Sequence, residues 1–321
     1  MKSSRSTKDL ISITDLGARL NAVIRRSIEL KRELKAGTNT ASRLKGKSVI
    51  LLFEKPSTRT RVSFEVACHQ LGSNPIFLNA KDIQIGRGET VEDTGRVLER
   101  YAHCIVFRAN SNSTVKALAQ STRIPVINAL DDVEHPCQAV ADLMTMKEHF
   151  GELKGLKVAY VGDGNNVCHS LMLGCAMTGA NFIAACPAGY EPRQQIADAA
   201  AGISLDTGCR IEVVREPEIA VRNVDVIYTD VWVSMGQEKE TEQRERIFMP
   251  YQVNEKLVKL ASKRAVVMHC LPAHRGLEIT SDVIDGPRSL VFDQAENRLH
   301  TAKALMLELM SGSKKTRTGR H

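Results

Sequence analysis

Short apolar runs recur along this chain, each followed by a stretch with helical spacing, and that alternation restricts the possible folds more than anything else. One series comprises Ser48 to Glu54, Pro75 to Leu78, His103 to Arg108 and Ile124 to Asn128, with helical stretches such as Thr90 to Tyr101 and Ser113 to Ser121 between them. A second begins after Gly155 with Lys157 to Val161, Asn181 to Ala185, Arg210 to Val214, Val224 to Thr229 and Ala265 to His269. Strand–helix alternation predicts α/β architecture: mainly parallel sheets with helices on both faces. At 321 residues the chain exceeds what one simple core carries, so two domains are expected. The break falls at Phe150 to Gly155, giving residues 1–150 and 151–299. An early helix is expected from Thr14 to Lys35, ending at Gly37. A final helix, Thr301 to Met310, lies beyond a last apolar run, Ser289 to Phe292, and the C-terminal segment from about residue 300 to 321 is expected to pack back on the first domain.

The segment Lys55-Pro56-Ser57-Thr58-Arg59-Thr60-Arg61 joins the first run to a helical pattern, Val62 to Leu71, that stops at Gly72. Pro56 and Ser57 read as a strand-to-helix turn with Ser57 near the N-cap. Free backbone N–H groups and the positive helix end would converge there with three hydroxyls and two guanidiniums. Such a site suits a small, multiply charged anion, phosphate first. An exposed basic first turn has the same composition.

Other polar clusters also fall where strands should end: Arg108, His135-Pro136-Cys137-Gln138, Asn165-Asn166, Asp230 and His269-Cys270-Leu271-Pro272. Ligands of open α/β sheets bind beyond the carboxyl ends of the strands. Gly162-Asp163-Gly164-Asn165-Asn166-Val167 has the strand–turn–helix setting of a dinucleotide fingerprint, but Val167 replaces the third glycine and Ala185-Cys186-Pro187 offers no acid to a ribose. Its asparagines suit an amino-acid carboxylate or amine instead. His135 is either a satisfied loop histidine or a polarising donor, with Gln138 one turn on supplying an amide. His269, Cys270 and His274 lack the partners of a zinc site, and neighbours on a strand point to opposite faces, so His269 is poorly placed to activate Cys270.

Net charge is +7, from 44 basic and 37 acidic residues. Four of the basic groups sit in the acid-free tail Ser311 to His321, which leaves the body near +3. That tail could touch nucleic acid, although a frayed terminus explains it equally. Eight cysteines at irregular spacing without a CxxC pair suggest reduced, mostly buried thiols. The chain has no apolar run long enough to span a bilayer and no apolar leader after Met1, so no membrane association and a cytoplasmic location are expected.

Taken together, Ser57-Thr58-Arg59-Thr60-Arg61, His135-Pro136-Cys137-Gln138, Asp230-Val231-Trp232-Val233-Ser234-Met235-Gly236 and His269-Cys270-Leu271-Pro272 resemble the aspartate/ornithine carbamoyltransferase family, in its ornithine-type branch. The resemblance runs from about Lys8 to Met310. It implies a carbamoyl phosphate domain, then an ornithine domain, with the active site in the cleft between them. The implied reaction transfers the carbamoyl group of carbamoyl phosphate to the δ-amine of L-ornithine, giving L-citrulline and phosphate. The implied phosphate contacts are Ser57, Thr58, Arg59 and Thr60, with Arg108 reaching phosphate and carbonyl, His135 and Gln138 holding the carbamoyl group, and Arg298 adding a further contact. Gln84 matches a loop residue presented to a neighbouring subunit. Asn166, Asp230, Ser234 and Met235 match ornithine contacts, while Cys270 and the Leu271 carbonyl match the end of the site where amine meets carbamoyl group. The implied catalytic group is Arg108, His135 and Cys270, with no metal or organic cofactor and a homotrimer or a multiple of it.

One departure is the acidic run Asp131-Asp132-Val133-Glu134 before His135, expected to face solvent or else to raise the His135 pKa. Two rival functions remain at this level. One is a carbamoyltransferase acting on putrescine or an N-acylated ornithine. The other is a nucleotide- or nucleic-acid-binding α/β protein using the glycine turn and basic tail.

Overall fold

The computed structural model describes residues 9–83, 88–233 and 241–310. Two wholly parallel sheets organise them. The first takes β1 (Ser48–Phe53), β2 (Asn74–Asn79), β3 (Cys104–Arg108) and β4 (Val126–Leu130) in the order β2-β1-β3-β4. The second takes β5 (Lys157–Val161), β6 (Asn181–Ala185), β7 (Ile211–Val214), β8 (Val226–Thr229) and β9 (Val266–His269) in the order β7-β6-β5-β8-β9. Strand β1 is buried from Val49 to Phe53 and β3 throughout, because helices cover both faces of a parallel sheet.

The helices of the first lobe are α1 (Leu20–Lys35), α2 (Thr58–Leu71), α3 (Val91–Tyr101), α4 (Asn112–Ser121) and α5 (Pro136–Phe150). The second lobe carries α6 (Asn166–Thr178), α7 (Gln194–Thr207) and α8 (Pro217–Ala220), then α9 (Thr241–Phe248), α10 (Glu255–Val258) and α11 (Ser281–Ile284). Helix α12 (Val291–Met310) lies against α1, α2 and α5, and also touches β9. None of the described helices is long and apolar enough to cross a membrane. Strand order reverses once in each sheet, between β1 and β3 and between β5 and β8. Those switch points open crevices at the carboxyl ends of the strands.

The largest apolar cluster does not stop at the interlobe connection. It runs from Leu51 and Phe64 through Leu143 and Met144 of α5 and Leu171 and Met172 of α6 to Tyr160 and Tyr228, and takes in Leu305 and Met306 of α12. The two sheets therefore share one core through α5, α6 and α12.

Two expected elements differ. The early helix is split: Ile13–Arg19 is a 3-10 segment, and Gly17, at φ 48° and ψ −134°, leaves helical space before α1 begins. Ser12 and Asp15 cap the segment reciprocally, and Ile13 and Leu16 are buried by the resulting bend. The run Ser289 to Phe292 is not a strand. Ser289 makes a single bridge to Val267, and α12 starts at Val291, ten residues before the expected Thr301. The early turns of α12 bury Gln294, Asn297 and Arg298, so its inward face lacks the apolar periodicity that marks a helix in sequence.

Gly72 ends α2 at φ 80°, and a Cβ there would lie 1.7 Å from the Ala41 carbonyl oxygen. Gly72→Ala should therefore cost more than the about 1–2 kcal/mol of a left-handed backbone alone. Urea unfolding of the variant against the parent reads this directly.

Candidate active site

A cleft of about 450 Å³ lies at the carboxyl ends of β1, β3 and β4 of one sheet and β5, β8 and β9 of the other. Ser57, Thr58, Arg59, Thr60, Arg108, His135, Gln138, Asn166, Asp230, Cys270, Leu271 and Arg298 all line it. Gln84, Ser234 and Met235 lie outside the described residues.

The first-lobe wall is built on the start of α2. Ser57, extended at φ −163°, caps the helix by accepting from the Thr60 N–H. Arg59 reaches across to the second lobe and donates to the Leu271 carbonyl at 2.6 Å. Arg108 ends β3, beside β1 at the switch point. Arg298, from α12, donates to Gln138 Oε1 and to Thr60 Oγ1. Burial and the neighbouring guanidiniums of Arg298 and Arg59 pull the Arg108 pKa down to about 10. Burial also lowers Arg59 and Arg298, yet all three remain cationic at neutral pH. The buried guanidiniums of Arg108 and Arg298 and the half-buried one of Arg59, none paired with a carboxylate among the described residues, raise the local potential towards an anion.

His135 Nδ1 and Arg108 Nε are buried without a partner among the described residues. Burial first, then Arg298, Arg108, Lys55 and Arg59, hold the His135 pKa well below the usual imidazole value. The ring is therefore neutral and offers a single N–H. The preceding acids do not have the expected effect. Asp131 and Glu134 are buried, and only Asp132 is exposed, paired with Arg193 at 3.0 Å. Asp131 accepts from Asn112, Asn128 and the Val133 and Glu134 N–H groups. Glu134 accepts from the Ile13 N–H and from Ser170, whose hydroxyl in turn takes the His135 N–H. These acids brace the loop, and burial together with the surrounding cations pushes His135 down.

The opposite wall is acidic and amide-rich. Asn165 caps α6 through its side-chain oxygen and donates to Asp230 at 2.8 Å. Asp230 also accepts from the Val231 N–H and from the Cys270 thiol, at 2.8 and 2.9 Å. Burial and Asp230 push the Cys270 pKa far above the usual thiol range, so the thiol stays protonated and acts as a donor. Asn166 donates to the Asp131 carbonyl, tying the two lobes together. His269 is bonded to groups other than Cys270. Its Nδ1 accepts from the Leu271 N–H and its Nε2 faces Glu278. Asp230, His269 and Cys270 bring possible metal-ligand atoms within 4.8 Å. Both imidazole nitrogens are already bonded and the thiol keeps its proton, so the cluster offers a metal few free lone pairs.

The dinucleotide look-alike also has a physical explanation. A Cβ on Gly164 would lie 2.3 Å from the Pro192 nitrogen, so this glycine admits neighbouring backbone and not a pyrophosphate.

Sequence reasoning passed over Lys55 and Asp142. Lys55 lines the cleft directly after β1, its pKa lowered by burial and then by Arg108. Asp142 lies behind Gln138, four residues along the same helix; that spacing was the available signal.

Two α/β lobes that set a cation-rich wall against an acidic, amide-lined one form an enzyme joining an anionic donor to an amine-bearing acceptor. The chain belongs to the aspartate/ornithine carbamoyltransferase family. Residues 8–148 match the family's carbamoyl-P binding domain and residues 154–309 its Asp/Orn binding domain. An ornithine carbamoyltransferase of Picrophilus torridus is 51% identical over 304 residues, 95% of this chain and 99% of that protein. One from Thermococcus kodakarensis is 54% identical over 271 residues, 84% of this chain and 86% of its own. The solved ornithine carbamoyltransferase from Pyrococcus furiosus superposes with a TM-score of 0.93 at 48% identity, covering 98% of this chain and 100% of that one.

Burial holds the Asp142 carboxyl at about 7, above its ordinary 3.8. A carboxyl whose pKa is raised by folding favours the native state below its unfolded pKa and loses that contribution as pH climbs through the folded value. Stability should thus fall between about pH 4 and 7, and Asp142→Asn should flatten that slope, as read by urea unfolding across the range.

Proposed function

We propose that this chain transfers the carbamoyl group of carbamoyl phosphate to the δ-amine of L-ornithine, giving L-citrulline and phosphate. The observation that carries the reading is the opposition of Arg59, Arg108 and Arg298 on one wall to Asp230, Asn166 and Cys270 on the other, across one cleft. The phosphate sits on the α2 N-terminus, held by Ser57, Thr58, Thr60 and Arg59, with Lys55 beside it. Arg108, the neutral N–H of His135 and the Thr60 hydroxyl direct donors at the carbamoyl oxygen, where charge develops as the tetrahedral intermediate forms. Gln138 and Arg298 fix the carbamoyl end.

Asp230 pairs with the α-ammonium and Asn166 takes the α-carboxylate, with Ser234 and Met235 as further contacts. The δ-amine attacks in its neutral form, because an ammonium has no lone pair. Cys270, a protonated thiol held by Asp230, and the Leu271 carbonyl orient it, and no covalent enzyme intermediate is needed. Phosphate is a good leaving group, so orientation and fixed dipoles supply most of the acceleration.

Putrescine would leave Asp230 and Asn166 without their partners, and an N-acylated ornithine brings no positive charge to Asp230. Steady-state citrulline formation from ornithine should therefore far exceed turnover of putrescine or N-acetylornithine. A clear preference for either of those would overturn the acceptor assignment. Arg59→Ala should weaken carbamoyl phosphate binding at least about a hundredfold, through loss of a charge-assisted contact in a desolvated site. Calorimetric titration of the variant with carbamoyl phosphate measures it.

The assembly we propose is a homotrimer or a multiple of it, with Gln84 presented to a neighbouring cleft. Supporting this, β2 is an edge strand, and Val62, Val97 and Tyr101 are exposed on α2 and α3 of the same lobe. Light scattering should give a mass at least three times that of the 35.4 kDa chain, and a fully active monomer would refute it. Eight cysteines without a disulfide fit the reducing cytoplasm.

A further inference from the structure

Asp142 has no solvent exposure, yet three donors converge on its carboxyl. Gln138 Nε2 and Gln294 Nε2 donate to Oδ1 at 2.8 and 2.6 Å, and the Tyr228 hydroxyl donates to Oδ2 at 3.1 Å. Gln294 is held at its other end, where Oε1 accepts from the His269 N–H at 3.0 Å. The orientation of Gln138 follows from its neighbours. Asp142 Oδ1 takes two amide N–H groups, so it accepts whether the carboxyl is ionised or carries its proton on Oδ2, and it demands the Gln138 amide nitrogen; Arg298 can only donate, so it demands the amide oxygen. Both therefore turn the Gln138 carbonyl oxygen to the Arg298 side, and Gln138 and Arg298 both line the cleft.

We propose that Asp142 is the positioning residue that makes the cleft select a carbamoyl phosphate over an acyl phosphate of the same shape, by holding the Gln138 carbonyl oxygen towards the ligand. The inference rests on the reading of this cleft as the carbamoyl phosphate site. A carbamoyl group carries an NH₂ where an acetyl group carries a methyl, and only the NH₂ can donate to a fixed acceptor. Without Asp142 only Arg298 orients the Gln138 amide, and once that guanidinium turns to the ligand the amide can present its own NH₂ and lose that discrimination. Asp142 touches no ligand itself; it acts through Gln138.

The test compares dissociation constants for carbamoyl phosphate and acetyl phosphate, by calorimetry on the full chain. Wild type should favour carbamoyl phosphate. Asp142→Ser, which removes the fixed acceptor but leaves room for water, should lose about tenfold in carbamoyl phosphate affinity while acetyl phosphate stays within about twofold. Asp142→Cys, nearer in volume, serves the same comparison should the serine variant not fold. Asp142→Asn should keep the ratio, because its oxygen can accept both amides while its nitrogen donates to the Tyr228 oxygen. Gln294→Leu should keep it too, since the Asp142–Gln138 bond survives.

A serine variant that weakens both ligands equally, or leaves their ratio untouched, would reduce Asp142 to a structural role. So would loss of the ratio in the asparagine or Gln294 variant. A wild-type protein with equal affinity for the two phosphates would instead contradict the assignment of the cleft.

Discussion

The architecture depends on the Arg298 guanidinium, buried and held by an amide oxygen and a hydroxyl. A buried cation normally needs a carboxylate partner, and the desolvation penalty is severe without one. Here its bonded partners are neutral, so its charge is spread but not cancelled. Arg108 and Arg59 add to the same field, each depressed in pKa by burial. The cost is borne by the surrounding structure: α12 must deliver Arg298, α5 must present Gln138, and Asp142 must hold that amide. A dianion entering the cleft would supply the missing countercharge.

Most of the framework was legible in the sequence because parallel strands buried on both faces read as unbroken apolar runs. Strands β5 and β6 fall on the expected residues, and the remaining strands differ by a few residues at their ends. The positions of Ser57, Arg108, Asn166 and Asp230 followed from strand ends, since loops at the carboxyl edge of a parallel sheet must carry the polar groups. What sequence could not reveal is polarity turned inward. Gln294 and Asn297 make α12 look like loop until Met310 is traced back to the cleft. Asp131 and Glu134 look like solvated charge, yet their oxygens are consumed by N–H and hydroxyl donors. Gly17 breaks a helix that the apolar pattern alone would continue.

The two switch points explain how the site pairs its chemistries. Between β1 and β3, the chain parts and leaves Ser57 and Arg108 lining the same cleft. Between β5 and β8, it does so again and leaves Asn165 and Asp230 in contact. One crevice collects cations and helix N–H groups, the other an acid and amides. The family resemblance in the individual motifs is the visible part of this arrangement: Ser57 to Arg61 and the segment from Asp230 follow strands at the reversals, and His135 to Gln138 and His269 to Pro272 stand at the carboxyl ends of the neighbouring strands β4 and β9.

The continuous apolar cluster through α5, α6 and α12 has a further consequence for how such a protein can be divided. The connection from Phe150 to Gly155 looks like a seam in sequence, yet cutting there would strip Leu143 and Met144 of their partners Leu171 and Met172. Each half would keep a smaller apolar cluster, around Ile50, Leu52 and Phe107 in one and Val161, Ile227 and Val267 in the other, but the shared cluster would be laid open. The two substrate-binding lobes are therefore separable as recognition surfaces but not as pieces of matter, and any relative motion that opens the cleft has to disturb helices packed into one shared cluster.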